Sequence, residues 1–295
     1  MKIIGGPASQ SLAQHVSRIL KAQIINVEHK LFPDSESYFR IMGDIRDEDV
    51  TIIQTTSPPQ DVRLIQLLLL VDGVKDLGAR SITAVVPYLA YSRQDKRFMS
   101  GEVVSVISIL KIIRAIGVDK LITVNVHSPK SLSDIMEIDD LSAISLLAEH
   151  MKEMGLVNAF SLAPDIGAID IVRESASVLG GGFDWLEKVR DRVTGKITIK
   201  ERAFDVKGKD AIVFDDMIST GGTTSSAVGI LKKQGARRVY AACVHPLMVG
   251  NAKDRIKNSG AEEIIGTDTV PGPYAVVSVA SIIAEALKQG GDQRY

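Results

Sequence analysis

The chain has 295 residues, with 35 lysines and arginines against 36 aspartates and glutamates, for a formal net charge of −1. That balance argues against nucleic-acid or anionic-membrane binding through bulk charge, and the single cysteine, Cys243, excludes an internal disulfide and a cysteine-cluster zinc site. Apolar residues at 45% and charged residues at 24% fit a globular protein, and the length suggests two domains at roughly 150 residues each. No apolar run approaches the ~18 residues of a membrane span, and no signal-peptide stretch opens the chain. A cytoplasmic protein is expected.

In chain order, Leu64, Leu67, Leu68, Val71 and Val74 recur at helical spacing, and the β-branched run Ser81 to Val86 follows. Val103, Val106, Ile107, Leu110 and Ile113 predict a second helix, and Leu121 to Val126 another strand. A third helix is predicted from Ser142 as N-cap to Met154, with Gly155 closing it. Apolar runs at Ala159 to Ala163, Ala211 to Phe214 and Val239 to Val244 complete the pattern. Continuous apolar strands alternating with helices imply parallel sheets buried on both faces, an α/β fold.

One junction recurs, at Gly78, Gly117, Gly235 and Gly260: a helix ends, Gly turns the chain, and a strand begins. Two copies are closer than a loop rule requires. Gly78-Ala79-Arg80-Ser81-Ile82-Thr83-Ala84 matches Gly235-Ala236-Arg237-Arg238-Val239-Tyr240-Ala241 at an offset of 157, and at a similar offset, 160, Thr51-Ile52-Ile53 aligns with Ala211-Ile212-Val213. The pattern predicts a duplicated α/β domain, divided as residues 1–141 and 142–295.

The strongest motif is Phe214-Asp215-Asp216-Met217-Ile218-Ser219-Thr220-Gly221-Gly222-Thr223-Thr224, after a strand and before a helix. Two glycines permit a tight turn and close ligand approach. Four hydroxyls and the free N–H groups of a helix N-terminus make an anion cradle. The acid pair suits a sugar diol or a metal. A plain helix N-cap beside solvated acids is the blander reading, but it leaves this convergence of polar groups at a strand's carboxyl end unexplained. A P-loop is excluded by the absence of Gly-Lys-Ser/Thr.

This stretch resembles the phosphoribosyl-pyrophosphate loop of type I phosphoribosyltransferases. The resemblance implies that Asp215 and Asp216 contact ribose hydroxyls and that Ser219, Thr220, Gly221, Gly222, Thr223 and Thr224 hold the 5′-phosphate. The corresponding stretch of the first half, Gln54-Thr55-Thr56-Ser57-Pro58-Pro59, has neither acids nor glycines. Two domains with one such loop resemble the ribose-phosphate pyrophosphokinases, archaeal members in particular, and further motifs carry that likeness. The resemblance implies two tandem phosphoribosyltransferase-like domains, each a mostly parallel sheet flanked by helices.

It also implies roles for individual residues. Phe32, Asp34, Ser35 and Glu36 would hold the ATP base of a neighbouring subunit, in a homo-oligomer; Ser35 replaces the usual glycine. Arg93, Gln94 and Asp95, inside Tyr91 to Arg97, would contact ATP. Read without the family, that stretch is a solvated charge run. His127 would contact ATP and, with Asp165, help place Mg2+; each is expected at a strand's carboxyl end, where α/β sites assemble. Asn125 stands where the family often has aspartate, and Ala168 where it has the second glycine of a pyrophosphate loop. Lys188 and Arg190, in Leu186-Glu187-Lys188-Val189-Arg190, match a catalytic Lys-x-Arg leading into a mobile loop, and Arg190 would also reach the ribose phosphate. The implied reaction transfers the β,γ-pyrophosphate of ATP to the 1-hydroxyl of ribose 5-phosphate. Two other activities stay open: a phosphoribosyltransferase acting on a nucleobase, and a non-catalytic regulatory homologue.

Overall fold

The computed structural model describes residues 1–127, 132, 134–190, 197–199 and 202–292. It divides into two compact units. One comprises Met1–Ser142, Thr269–Pro271 and the C-terminal segment from Ser278; the other comprises Ala143–Asp268 and Gly272–Val277.

The first unit is built on a seven-stranded sheet. Its strands are β1 (Lys2–Gly5), β2 (Gln23–Leu31), β3 (Ser37–Met42), β4 (Asp49–Ile53), β5 (Ser81–Val86), β6 (Lys120–Val124) and β7 (Glu137–Leu141), in the order β3-β2-β1-β4-β5-β6-β7. All pairings are parallel except the hairpin β2–β3. Helices α1 (Gln10–Leu20), α2 (Gln60–Asp76) and α3 (Ser105–Ile116) make the crossovers. Val71, Val74, Leu110 and Ile113 from α2 and α3 join Ile52, Ala84 and Leu121 of the sheet in one core. Parallel strands covered on both faces need such β-branched runs, which is why β4 and β5 are rich in Val, Ile and Thr.

The second unit has helices α4 (Ile144–Glu153), α5 (Ile169–Leu179), α6 (Gly222–Lys233) and α7 (Ala252–Asn258). Its main strands are β8 (Phe160–Ala163), β9 (Phe183–Trp185), β12 (Ala211–Ile218), β13 (Val239–Pro246), β14 (Ile264–Thr267) and β15 (Ala275–Val277). They are parallel, in the order β15-β14-β13-β12-β8-β9. A separate antiparallel pair joins β10 (Lys188–Arg190) to β11 (Ile197–Ile199). The run β8-β12-β13-β14-β15 repeats the order of β1-β4-β5-β6-β7, so the two units share a topology as well as a sequence echo.

The echo has a physical basis. In the first unit Arg80 Nε donates to Asp49 Oδ1 at 3.0 Å and a second guanidinium nitrogen reaches Oδ2. In the second, Arg237 Nε donates to Asp210 Oδ1 at 2.9 Å and Nη2 to Oδ2 at 2.6 Å. In each case an arginine just past the glycine junction forks onto an aspartate that opens the preceding strand (Asp49) or immediately precedes it (Asp210). Bidentate geometry makes this the strong form of the pair. Arg238 adds a second fork, and the two guanidinium groups hold the Asp210 carboxyl far below the usual carboxylate range. Gly78 and Gly235, at φ +84° and +87°, provide the left-handed step that brings each arginine round.

Several boundaries differ from the sequence expectation. Helix α4 is N-capped by Ala143, one residue beyond Ser142. Val103 precedes α3 and is 65% exposed, because the chain between β5 and α3 is a polar loop rather than the helix's first turn. Strands β12 and β13 run on to Ile218 and Pro246, carried by parallel pairing that continues through Met217 and His245. The C-terminal helix α8 (Ala280–Asp292) falls in the first unit, whereas a division at residue 142 places it in the second. It packs on α1, with Ile283 and Ala284 buried. An amphipathic helix docks where an apolar face is open, and chain order does not decide that.

Candidate active site

The second unit carries the acid pair on β12 itself. Asp215 and Asp216 are half-buried at the carboxyl end of the strand, and Asp215 pairs in register with Cys243. Each carboxylate folds back onto the next amide: Asp216 N–H donates to Asp215 Oδ1 at 3.0 Å and Met217 N–H to Asp216 Oδ1 at 2.7 Å. Burial, then the adjacent Asp216 charge, and further off the charge of Asp165, push the Asp215 carboxyl well above its ordinary range. The site is thus over-supplied with negative charge and suited to a hydroxyl-rich or cationic occupant.

The turn that follows is held from behind. Val249 N–H donates to Ser219 O at 2.9 Å, Met248 N–H to Ile218 O at 3.0 Å, and Arg255 Nη1 to Thr220 O at 3.2 Å. Gly221 caps α6 with φ +70°; a Cβ there would stand 3.0 Å from Ile256 Cδ1 and 3.2 Å from Ala252 O. The first helical bond is Ser225 N–H to Gly221 O at 2.9 Å, so the amides of Gly222, Thr223 and Thr224 head the helix as donors for an anion. Ser219 and Thr223 are half-buried, Thr220 is exposed and Thr224 is buried.

Asp165 follows β8, the parallel neighbour of β12, and so stands at the same edge of the sheet as Asp215. It caps the short 3-10 turn Ile166–Ala168, accepting from Gly167 N–H at 3.0 Å. Ala168 has φ −99°, a conformation any residue adopts. Alanine therefore occupies this position without backbone strain.

In the first unit two expected positions crown adjacent strands. Arg93, Gln94 and Asp95 lie in the loop after β5, and His127 lies three residues past β6, exposed. Asn125 takes the left-handed conformation, φ +42°, which asparagine tolerates better than most residues, and its N–H donates to Leu141 O at 2.8 Å. Asp140 Oδ1 accepts from Thr123 Oγ1 at 2.8 Å and from Val126 N–H at 2.9 Å, fixing the turn that presents His127. Sequence reasoning missed Asp140. Its signal was an acid inside the strand-forming run Glu137 to Leu141.

Phe32, Asp34, Ser35 and Glu36 form the tip of the β2–β3 hairpin. Phe32 N–H donates to Glu36 O and Ser35 N–H to Phe32 O, both at 2.8 Å. Glu36 N–H reaches Asp34 Oδ1 at 3.2 Å. Ser35 has φ +74°, so serine occupies a glycine-type conformation. Phe32 is 45% exposed. Two strands, β1 and β4, separate this hairpin from β5, and the structure does not place its tip beside Arg93 within the sheet.

Lys188 and Arg190 begin and end β10, opposite Ile199 and Ile197 of β11. The expected mobile segment from Asp191 to Gly195 lies outside the described residues. The first unit's counterpart of the phosphate turn is used internally. Gln54, Thr55, Thr56 and Ser57 are all buried; Gln54 Oε1 accepts from Ala8 N–H, Thr55 Oγ1 donates to Thr269 O, and Thr56 Oγ1 donates to Tyr88 O.

Residues 1–117 match the family model for the N-terminal domain of ribose phosphate pyrophosphokinase, and residues 192–289 match the phosphoribosyl synthetase-associated domain. The ribose-phosphate pyrophosphokinase of Saccharolobus solfataricus is 44% identical over 92% of this chain and 93% of its own length. That of Methanothermobacter thermautotrophicus is 41% identical over 97% and 99%. The chain belongs to the ribose-phosphate pyrophosphokinase family. It is an enzyme of that family, a transferase. A phosphoribosylpyrophosphate synthetase structure from Mycobacterium smegmatis superposes with a TM-score of 0.87 at 27% identity, covering 99% of both chains. The fold is accordingly the two-domain, phosphoribosyltransferase-like α/β architecture of ribose-phosphate pyrophosphokinases. Among the described residues no helix is long and apolar enough to cross a membrane.

Proposed function

We propose that the chain transfers the β,γ-pyrophosphate of ATP to the 1-hydroxyl of ribose 5-phosphate, giving 5-phosphoribosyl 1-pyrophosphate and AMP. The carrying observation is the second unit's cradle: a crowded acid pair leading directly into a left-handed glycine and a helix N-terminus. A diol donating to Asp215 and Asp216 relieves their like-charge crowding, while Ser219 to Thr224 take the 5′-phosphate on amides and hydroxyls. Ribose O1 then attacks the β-phosphorus in line. The new O1–P bond forms as the bond to the α,β-bridging oxygen breaks; that electron pair leaves on AMP, and the O1 proton passes to solvent. Orientation and charge neutralisation supply most of the acceleration in such transfers.

Lys188 and Arg190 are assigned to the transferring group, where cations favour the charge distribution of the transition state. Arg93, Gln94 and Asp95 are assigned to ATP, with His127 beside them. Phe32, Asp34, Ser35 and Glu36 are assigned to the adenine of a second subunit in a homo-oligomer; their separation from β5 in the sheet order supports a shared site. A cytoplasmic location fits a protein with one buried cysteine.

The family implies Mg2+. The donor chemistry fits: Asp165 supplies a hard oxygen near an acid pair, and magnesium takes one or two carboxylates plus substrate phosphates. Asp165, helped by His127, would hold the ion. When bound, it neutralises phosphate charge and orients the pyrophosphoryl group.

Phosphorus NMR of the protein with Mg-ATP and ribose 5-phosphate tests the assignment. AMP should appear in step with a pyrophosphorylated sugar. Consumption of that sugar with a nucleobase, and no AMP from ATP, would sink it in favour of a phosphoribosyltransferase; no turnover of either kind would favour a regulatory homologue. Lys188→Ala should lower kcat by ~100-fold or more, as loss of one transition-state donor does. A normal kcat with only a raised KM would remove Lys188 from the catalytic role.

A further inference from the structure

We propose that Glu102 is a positioning residue that fastens the nucleotide loop and orients the Gln94 amide. The inference rests on the assignment of Arg93 and Gln94 to ATP.

The loop runs from Tyr91 to Glu102, between β5 and α3. Its near end is pinned: Tyr91 sits at φ +67° and its hydroxyl donates to Asp61 on α2. Its far half has no comparable apolar anchor. Phe98 and Met99 are each 68% exposed, so hydrophobic packing does not hold the turn they form. Glu102 does. Its Oε2 accepts from Phe98 N–H at 2.7 Å, from Met99 N–H at 3.0 Å and, at a longer 3.5 Å, from Gln94 Nε2. Its backbone adds two more links: Arg97 Nε donates to Glu102 O at 3.0 Å, and Glu102 N–H donates to Met99 O at 3.4 Å.

Two consequences follow for the ligand. A single carboxylate oxygen draws residues 94, 98 and 99 together, which sets the path of the chain between the assigned nucleotide contacts and α3. The Gln94 amide nitrogen is also fully engaged, donating to Lys96 O at 3.1 Å as well as to Glu102. An amide has two N–H donors, so both are used within the loop, and the carbonyl oxygen is the group left to meet a ligand. Gln94 is thereby set as an acceptor, the polarity that receives a donor such as an amino group. The two backbone donors hold the Glu102 carboxyl below its ordinary range, so it is ionised at neutral pH. Charge-assisted bonds to backbone N–H are the stronger kind.

The test compares Glu102→Ala and Glu102→Gln with the wild-type protein. Steady-state KM for ATP and for ribose 5-phosphate, calorimetric binding of a non-hydrolysable ATP analogue, and thermal unfolding are measured on each. Glutamine keeps one side-chain oxygen to accept the same amides; alanine keeps none. Glu102→Ala should raise KM for ATP and the analogue Kd about tenfold, the scale of losing charged hydrogen bonds, with KM for ribose 5-phosphate and the Tm unchanged. Glu102→Gln should stay within about threefold of wild type, the lower end of that scale. An unchanged ATP KM in Glu102→Ala would overturn the inference, as would equal rises in both KM values with a lowered Tm, which is the signature of a merely structural residue. Failure of the underlying assignment looks different: the wild-type protein itself would neither form AMP nor bind the analogue.

Discussion

Asp165 and Asp215 end adjacent parallel strands, β8 and β12, and the charge on the first helps keep a proton on the second. Together with burial and Asp216, this makes Asp215 a carboxyl that the empty protein holds at a cost. The sign is definite. A carboxyl with a raised native value adds relative stability below its unfolded value, and that stability is lost as pH rises and the native group is forced to ionise. Asp215→Asn should therefore raise the Tm of the ligand-free protein by a few degrees at pH 8, with the gain shrinking toward pH 4. The same variant should lose most of its affinity for ribose 5-phosphate. A pH-independent Tm difference would break the link between this crowding and the site, a trade of stability for function.

Gly221→Ala tests the cradle without touching its charge. Its φ of +70° disfavours any Cβ, and the added carbon would meet Ile256 and the carbonyl of Ala252. A left-handed alanine costs roughly 1–2 kcal/mol, which in a chain of this size lowers Tm by a few degrees. The larger effect should fall on ribose 5-phosphate, whose KM should rise at least tenfold as the helix N-terminus shifts, while KM for ATP stays within twofold. Equal effects on both substrates would show general damage rather than a phosphate cradle.

The fold and the second unit's loop were legible because local chemistry dictates them: strand, two acids, two glycines, helix. The echo of Gly78-Ala79-Arg80 in Gly235-Ala236-Arg237 was legible too, but its cause was not. The forks onto Asp49 and Asp210 join residues some thirty positions apart, and only strand pairing brings them together. The destination of α8 was invisible for the same reason, since an amphipathic stripe states that a helix docks and not where. Glu102 and Asp140 were missed because each acts by accepting backbone amides, a role that any exposed or strand-borne acid could have had.

Ser35 sits where a left-handed conformation is required, at φ +74°. Ser35→Gly should relieve local strain and keep full activity, with Tm unchanged or raised by about 1–3 °C, as ~0.5–1 kcal/mol would give. Ser35→Val, β-branched at the same φ, should distort the tip that Phe32 and Glu36 close, and raise KM for ATP several-fold. If Ser35→Val binds ATP as wild type does, the hairpin tip is not a nucleotide contact.

Asp140 gives a second pH dependence, in the first unit. Burial lifts its carboxyl from 3.8 to about 6, although Val126 N–H and the Thr123 hydroxyl oppose the rise. A displacement of that size corresponds to about 3 kcal/mol, present below pH 4 and lost as pH climbs through 6, because only the native state retains the proton across that window. The Thr123 and Val126 bonds both fall on Oδ1 and leave Oδ2 for the proton. Asp140→Asn keeps the acceptor and removes the titration, so its urea midpoint should be flat from about pH 4.5 to 8 and should exceed wild type at the upper end. Asp140→Leu removes the acceptor, strands the Val126 amide and should destabilise at every pH by about 1–3 kcal/mol, the cost of an unmet buried donor. Parallel urea midpoints for wild type and Asp140→Asn across that range would show that the carboxyl is already ionised in the native protein.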